Sequence, residues 1–104
     1  MLGIDLVFLP EFEKKFKNIS LDKVFSLSEM SENKSKESLA GIFAAKEAFF
    51  KAIGRKEDWL TVWIEKNKSG KPHLKTSLLD EGKKTEVSIS HAGDYAIAIV
   101  MIND

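Results

Sequence analysis

The chain has 104 residues, 43% of them apolar and 31% charged, which suits one soluble globular domain over 1–104 and leaves little room for a second. Sixteen basic residues balance 16 acidic ones, eight of each in either half, so there is no charged tail and no basic excess of the kind that nucleic-acid binders carry. The absence of cysteine excludes disulfide frameworks, thiolate metal sites and cysteine nucleophiles.

In chain order, residues 2–9, LGIDLVFL, form a short apolar run halted by Pro10 and are expected to make a buried strand. No basic segment precedes the run and Asp5 interrupts it, which is not the pattern of a signal peptide. No apolar stretch approaches the roughly 20 residues that span a bilayer. A cytoplasmic protein with neither membrane nor nucleic acid as partner is expected. Pro10 suits the first turn of a helix, in which Phe12 and Phe16 share one face and Lys14, Lys15 and Lys17 lie elsewhere around it. Residues 20–34 have no clear pattern. Ser35 is placed to cap, and Gly54 to end, a helix over about 36–53.

The second half turns to strand chemistry. WLTVWIEKN (59–67) is rich in β-branched and aromatic residues, KSGK reads as a turn, and 72–77 is expected to return as a second strand. SLLDEG (77–82) is expected to form a short helical turn. VSISHA (87–92) alternates, and YAIAIVMI (95–102) is apolar on both faces of its pleat. A strand of the latter kind needs cover on both sides, while one long helix covers one face of a small sheet, so a homo-oligomer is expected. The pattern as a whole predicts an α+β domain with an antiparallel sheet beside a long helix.

Three groups of residues carry chemistry. The long helix, FAAKEAFFKAIG at 43–54, has no polar face, yet holds Lys46, Glu47 and Lys51. Charges on such a helix must be paired, bound to an ion or able to reach out. Glu47 and Lys51 have two readings. One is an i, i+4 ion pair, worth about 0.3–0.5 kcal/mol on an exposed helix. The other is a ligand site for which Ala40, Ala44 and Ala48 clear space. Lys46 is expected to pack its stem and send its ammonium outward.

Asp5, mid-strand between Ile4 and Leu6, is either a hydrogen-bonded core residue or a partner of Glu47. Two carboxylates, with waters and substrate phosphates completing the shell, are the usual way to hold Mg²⁺, and Lys51 would face the same phosphates. In the third group, Ser90 and His91 end a strand. His91 reads either as a satisfied strand-end residue or as a ligand of phosphate or ribose. Adjacent strand residues point to opposite faces, so Ser90 and His91 are not two members of a hydrolase triad. With only His73 and His91 in the chain, a histidine-based zinc site is not expected.

Taken together, GIDLV (3–7), LAGIFAAKEAFFKAIG (39–54), SGKP (69–72) and VSISHAGDYAIA (87–98) resemble the motifs of the holo-[acyl-carrier-protein] synthase family, the small bacterial 4′-phosphopantetheinyl transferases, in their expected order over nearly the whole chain. The resemblance implies an α+β fold, a small antiparallel sheet packed against a long signature helix, assembled as a homotrimer with its active sites between protomers. It implies Mg²⁺-dependent transfer of 4′-phosphopantetheine from coenzyme A to a serine of apo-acyl-carrier protein in fatty acid biosynthesis, with adenosine 3′,5′-bisphosphate released. Asp5 and Glu47 match the family's metal ligands and, with Lys51 near the diphosphate, its catalytic residues. Lys51, Lys71, Pro72, Ser90 and His91 fall on motifs that line the coenzyme site. Lys14 and Lys17 stand where the family meets its acidic carrier with arginines.

Two departures stand out. Ile42 replaces an arginine common in relatives, a charge expected to return in part through Lys34 or Lys36, and the loop after Gly54 is short. The alternative readings are a homologue that binds carrier or coenzyme without turnover, and an unrelated Mg²⁺-dependent phosphate enzyme.

Overall fold

The computed structural model describes residues 1–33 and 35–104. Strand β1 (Leu2–Phe8) alternates: Gly3 and Val7 turn inward, while Leu2, Ile4 and Leu6 face out and are more than half exposed. The run expected to be buried is therefore covered on one face only. Helix α1 (Leu9–Lys15) follows at once, with Pro10 in its first turn where no amide donor is needed. Phe12 and Phe16 meet at 4.8 Å with tilted rings and both pack against Phe25 and Phe43, which fixes α1 to the core. Lys17 lies just past the helix rather than on it.

The unpatterned segment contains a 3₁₀ turn (Leu21–Lys23) and helix α2 (Leu27–Glu32). A capping box starts α2: Ser26 Oγ accepts from the Glu29 amide at 3.1 Å, and Glu29 Oε1 accepts from the Ser26 amide at 2.9 Å. Helix α3 (Lys36–Ile53) has the predicted ends. Ser35 Oγ accepts from the Ser38 amide, and Gly54 closes the helix at a φ of 75°, a conformation that glycine adopts without strain.

Strands β2 (Val62–Lys66) and β3 (Pro72–Thr76) form a hairpin, and β4 (Lys84–Ala92) and β5 (Tyr95–Asn103) form another. The larger sheet is antiparallel in the order β1-β5-β4, so the first strand of the chain pairs with the last. Between β3 and β4, residues 77–82 are bends and a turn, not the expected helical turn. Gly82 ends this segment at a φ of 93°, outside the right-handed helical region, and reverses the chain toward β4.

Helix α3 lies across one face of the three-stranded sheet. Ala44, Ala45, Ala48 and Phe49 meet Ala96, Ala98, Val100 and Ile102 of β5, and Val62, Ile64 and Leu74 of the small hairpin extend this core. The other face of the sheet carries Leu2, Ile4, Leu6, Tyr95, Ile97, Ile99 and Met101, between 38% and 60% exposed. The predicted two-faced β5 is thus observed, with one face covered. Among the described residues no helix is long and apolar enough to cross a membrane.

Candidate active site

Gly3 positions the first part of the site. A Cβ there would lie 1.9 Å from the carbonyl oxygen of Ala48, so only glycine lets β1 press directly on α3. Asp5 is two residues further along on the same face of the strand and therefore meets α3 one turn away. Lys51 Nζ donates to Asp5 Oδ1 at 2.9 Å and to the carbonyl oxygen of Ile4 at 3.1 Å. Glu47, one turn back on α3, lines the same cleft, together with Phe8, Glu11, Lys15 and Phe43. The sequence-predicted trio of Asp5, Glu47 and Lys51 is brought together.

Two expectations about this helix are corrected. Lys51 pairs with β1, not with Glu47, so the i, i+4 ion pair does not form; among the described residues the Glu47 carboxylate has no hydrogen-bond partner within the chain. Ala40, Ala44 and Ala48 are fully buried and clear space for the sheet, not for a ligand.

Lys46 is the third correction. Its ammonium does not reach out. It is wholly buried and donates to Glu29 Oε1 at 2.7 Å and to the carbonyl oxygens of Val24 and Trp59 at 2.6 and 3.3 Å. Burial pushes its pKa below the ordinary lysine value, while the hydrogen bond and charge of Glu29 act the other way. A neighbouring residue in sequence thus has a structural role, while Glu47 is left for the cleft.

His91 builds a second cleft. Its imidazole lies against Gly41, where a Cβ would come within 2.9 Å of Nε2, and Nε2 donates to the carbonyl oxygen of Glu37 at 3.0 Å. This fixes the ring and makes Nε2 the protonated nitrogen. The cleft is completed by Ser38, Ile42, Lys66, Gly70, Pro72 and Ile89. Pro72 therefore joins His91 as expected. Ser90 does not: it pairs with Ile97 on the outward face of the sheet. Lys71 is exposed in the hairpin turn, its amide donating to Asn67 Oδ1 at 2.9 Å, and it does not line the cleft.

Among the described residues, Lys36 is not the cation beside Ile42. Lys36 is drawn to α1 by Glu13 at 3.1 Å, which holds its ammonium above the usual lysine range. Lys34 lies outside the described residues. Among the described residues, Lys66 is the lysine that lines the cleft with Ile42. Sequence reasoning also passed over Glu11 and Lys15, although their place in the first turns after the Asp5 strand was a usable signal.

The two clefts share no lining residue. Ile42 and Glu47 are five residues apart on α3, roughly 140° around its axis. The chain thus carries two separate clefts, aimed to different sides of α3.

The family described as the 4′-phosphopantetheinyl transferase superfamily matches residues 1–100. The chain is 38% identical over 111 residues to the holo-[acyl-carrier-protein] synthase of Nautilia profundicola, with 98% of both chains covered. It is 38% identical over 115 residues to that of Campylobacter fetus, with both chains covered in full. Among solved structures, the Helicobacter pylori holo-[acyl-carrier-protein] synthase in complex with coenzyme A is similar at a TM-score of 0.89 and 30% identity, over 99% of this chain and 100% of that one. Sequence and fold agree that the chain belongs to the 4′-phosphopantetheinyl transferase superfamily, among the holo-[acyl-carrier-protein] synthases.

Proposed function

We propose that the chain transfers the 4′-phosphopantetheine arm of coenzyme A to a serine of apo-acyl-carrier protein, as a cytoplasmic enzyme serving fatty acid biosynthesis. The observation that carries this reading is the convergence of Asp5, Glu47 and Lys51 on one cleft, in a chain that matches the family from end to end. The serine oxygen forms a bond to the phosphorus that bears the pantetheine arm. The bond from that phosphorus to the bridging oxygen breaks, and adenosine 3′,5′-bisphosphate leaves with the bridging oxygen.

Such transfers depend on positioning and on neutralising charge spread over phosphate oxygens. The Lys51 side chain is more than half exposed, and its ammonium is held at the cleft by Asp5 and the Ile4 carbonyl, which leaves one of its three donors for the diphosphate. Glu47 is half-buried with no partner among the described residues, which leaves its carboxylate open to accept the serine proton or to orient a water that does. The donor set fits Mg²⁺. Of the three carboxylates that line the cleft, Asp5, Glu11 and Glu47, the pair Asp5 and Glu47 would be the ligands, and among the described residues no group of three His, Cys, Asp or Glu is close enough to enclose a metal, so waters and phosphate oxygens would complete the shell. When bound, the cation supplies the positive charge that two phosphates and two carboxylates require.

The second cleft would hold the adenosine end of the coenzyme with Pro72 and His91. Because the two clefts open to different sides of α3, one coenzyme would be held by Asp5, Glu47 and Lys51 of one copy and the His91 cleft of another. The uncovered apolar face of β1 and β5 supplies the contact between copies, and a homotrimer is the assembly we infer. Lys14 and Lys17 are exposed on the α1 side and are the residues we assign to the acidic carrier. Incubation with coenzyme A, Mg²⁺ and apo-carrier tests the reading: the carrier should gain the mass of one phosphopantetheine. An unchanged carrier mass would favour the homologue that binds without turnover.

A further inference from the structure

Lys46 has three donors and uses all of them inside the protein. They go to Glu29 Oε1 at 2.7 Å and to the carbonyl oxygens of Val24 and Trp59 at 2.6 and 3.3 Å. Glu29 is equally committed. Its Oε1 also accepts from the Ser26 amide at 2.9 Å, and Oε2 accepts from the Ile64 amide at 2.8 Å. Two side chains, neither more than 1% exposed, thus tie α3 to the segment before α2, to α2 itself, to the turn before β2 and to β2.

Stability alone does not account for such a pair. Both charges must be taken out of water, and apolar side chains of similar volume often stabilise a core as well or better. What apolar contact does not supply is direction. Ala44, Ala45 and Ala48 bring α3 close to β1 and β5 through small side chains, which set the distance of the helix but not its rotation. Between Gly41 and Phe50, Lys46 is the one α3 side chain that makes a hydrogen bond among the described residues. Phe43, which lines the Asp5 cleft one turn ahead of Glu47, stacks on Trp59, the residue whose carbonyl oxygen Lys46 holds.

Lys46 and Glu47 are consecutive, about 100° apart around the helix axis, so whatever fixes the one aims the other. Lys51, one turn beyond Glu47, shares that aim and meets Asp5 at 2.9 Å. We infer that the buried Lys46–Glu29 pair is a positioning element of the active site: it sets the rotation of α3 so that Glu47 and Lys51 face Asp5. The consequence for turnover rests on the proposed transfer, whereas the consequence for the placement of α3 does not.

The test compares the full-length wild type, Lys46→Met and the double variant that adds Glu29→Gln to Lys46→Met. The double variant leaves no charge at this point of the core, and its new amide keeps an acceptor for the Ile64 amide while gaining donors for the freed carbonyl oxygens. Its urea midpoint should return toward that of the wild type, whereas Lys46→Met alone should unfold at lower urea. With folding restored, kcat of the double variant should still lie about tenfold or more below wild type, since a displacement of about 1 Å at a reacting group can cost about 10²-fold. The KM for coenzyme A should change less than kcat. The crystal structure of the double variant should show Lys51 drawn off Asp5, beyond hydrogen-bond distance. Lys51 still on Asp5, or a wild-type kcat, would overturn the inference. A double variant as unstable as Lys46→Met would overturn it too, because the pair would then serve the fold. If even the wild type leaves the carrier unmodified, yet Lys51 leaves Asp5 in the double variant, the transfer reading fails and the positioning role stands.

Discussion

The Lys46 ammonium and the Glu29 carboxylate meet at 2.7 Å with both side chains fully buried, and through them α3 is joined to two other elements. Glu29 Oε1 also receives the Ser26 amide at the start of α2, and Oε2 receives the Ile64 amide of β2 at 2.8 Å. Removing one partner of such a pair leaves a buried charge unmatched, at a cost of about 3–5 kcal/mol. Lys46→Met should therefore lose that much stability in urea unfolding, a large share of the roughly 5–15 kcal/mol typical of a domain. A loss below about 1 kcal/mol would mean that water or a shifted side chain satisfies Glu29.

Asp5→Ala and Glu47→Ala should each leave the circular dichroism spectrum unchanged while Mg²⁺-dependent transfer falls by about 10²-fold or more, the scale seen when a preorganised charge-stabilising group is lost. The domain survives because neither residue is part of the buried core. Near-normal turnover in either folded variant would remove it from the site.

Gly3→Ala tests how the trio is positioned. The added methyl group would lie 1.9 Å from the Ala48 carbonyl oxygen, so β1 must shift off α3. A destabilisation of about 1–3 kcal/mol is expected, together with a loss of transfer larger than the loss of folded protein, since Asp5 moves with the strand. Crystallography of the variant with β1 unmoved would contradict this.

How far the sequence reached depended on how local each signal was. The ends of α3 were legible because Ser35 and Gly54 act within one turn. The two faces of β5 were legible because alternation is a property of the strand itself. The partners of the charges were not: Lys46 finds Glu29 17 residues away, and Lys51 finds Asp5 46 residues away, so an i, i+4 rule had nothing to say about either. The alanines of α3 were misread for the same reason, since only the paired sheet reveals that β1 and β5 fill the space above them. Helix α2 was a different kind of miss. Ser26 and Glu29 form a capping box at the required spacing, and Glu29 is at once the cap and the partner of Lys46. Asp5, Glu47 and Lys51, which line one cleft, stood out in the sequence because charge inside an apolar run is itself a local anomaly. Ser90 stands apart from His91, on the outward face with Ile97, because the motif names the residue but not its face.

The outward face of β1 and β5 bears the assembly prediction. Leu6 and Ile97 are directly opposed in the strand register and are 60% and 38% exposed. Light scattering of the wild type at micromolar concentration should give three times the chain mass. Ile97→Glu should shift it to monomer, and with it abolish transfer if each site needs two copies. A wild-type monomer that is fully active would defeat both statements.

The carrier-docking prediction turns on α1. Phe12 and Phe16 bind the helix to the core, Glu13 is occupied by Lys36, and Lys15 lies over the Phe43 ring at 5.2 Å. Lys14 and Lys17 are the basic residues of this segment left exposed without such a contact among the described residues, and they border one open cleft with Pro10 and Asn18. An acidic carrier would meet them first. Exposed pairs contribute little individually and are screened beyond about 8 Å at physiological salt, so the effect should fall on encounter rate. Lys14→Glu combined with Lys17→Glu should lower kcat/KM for the carrier, more at low ionic strength than at high. The KM for coenzyme A should barely change, because neither lysine lines the Asp5 cleft or the His91 cleft. Unaltered carrier kinetics at low salt would place the docking surface elsewhere on the molecule.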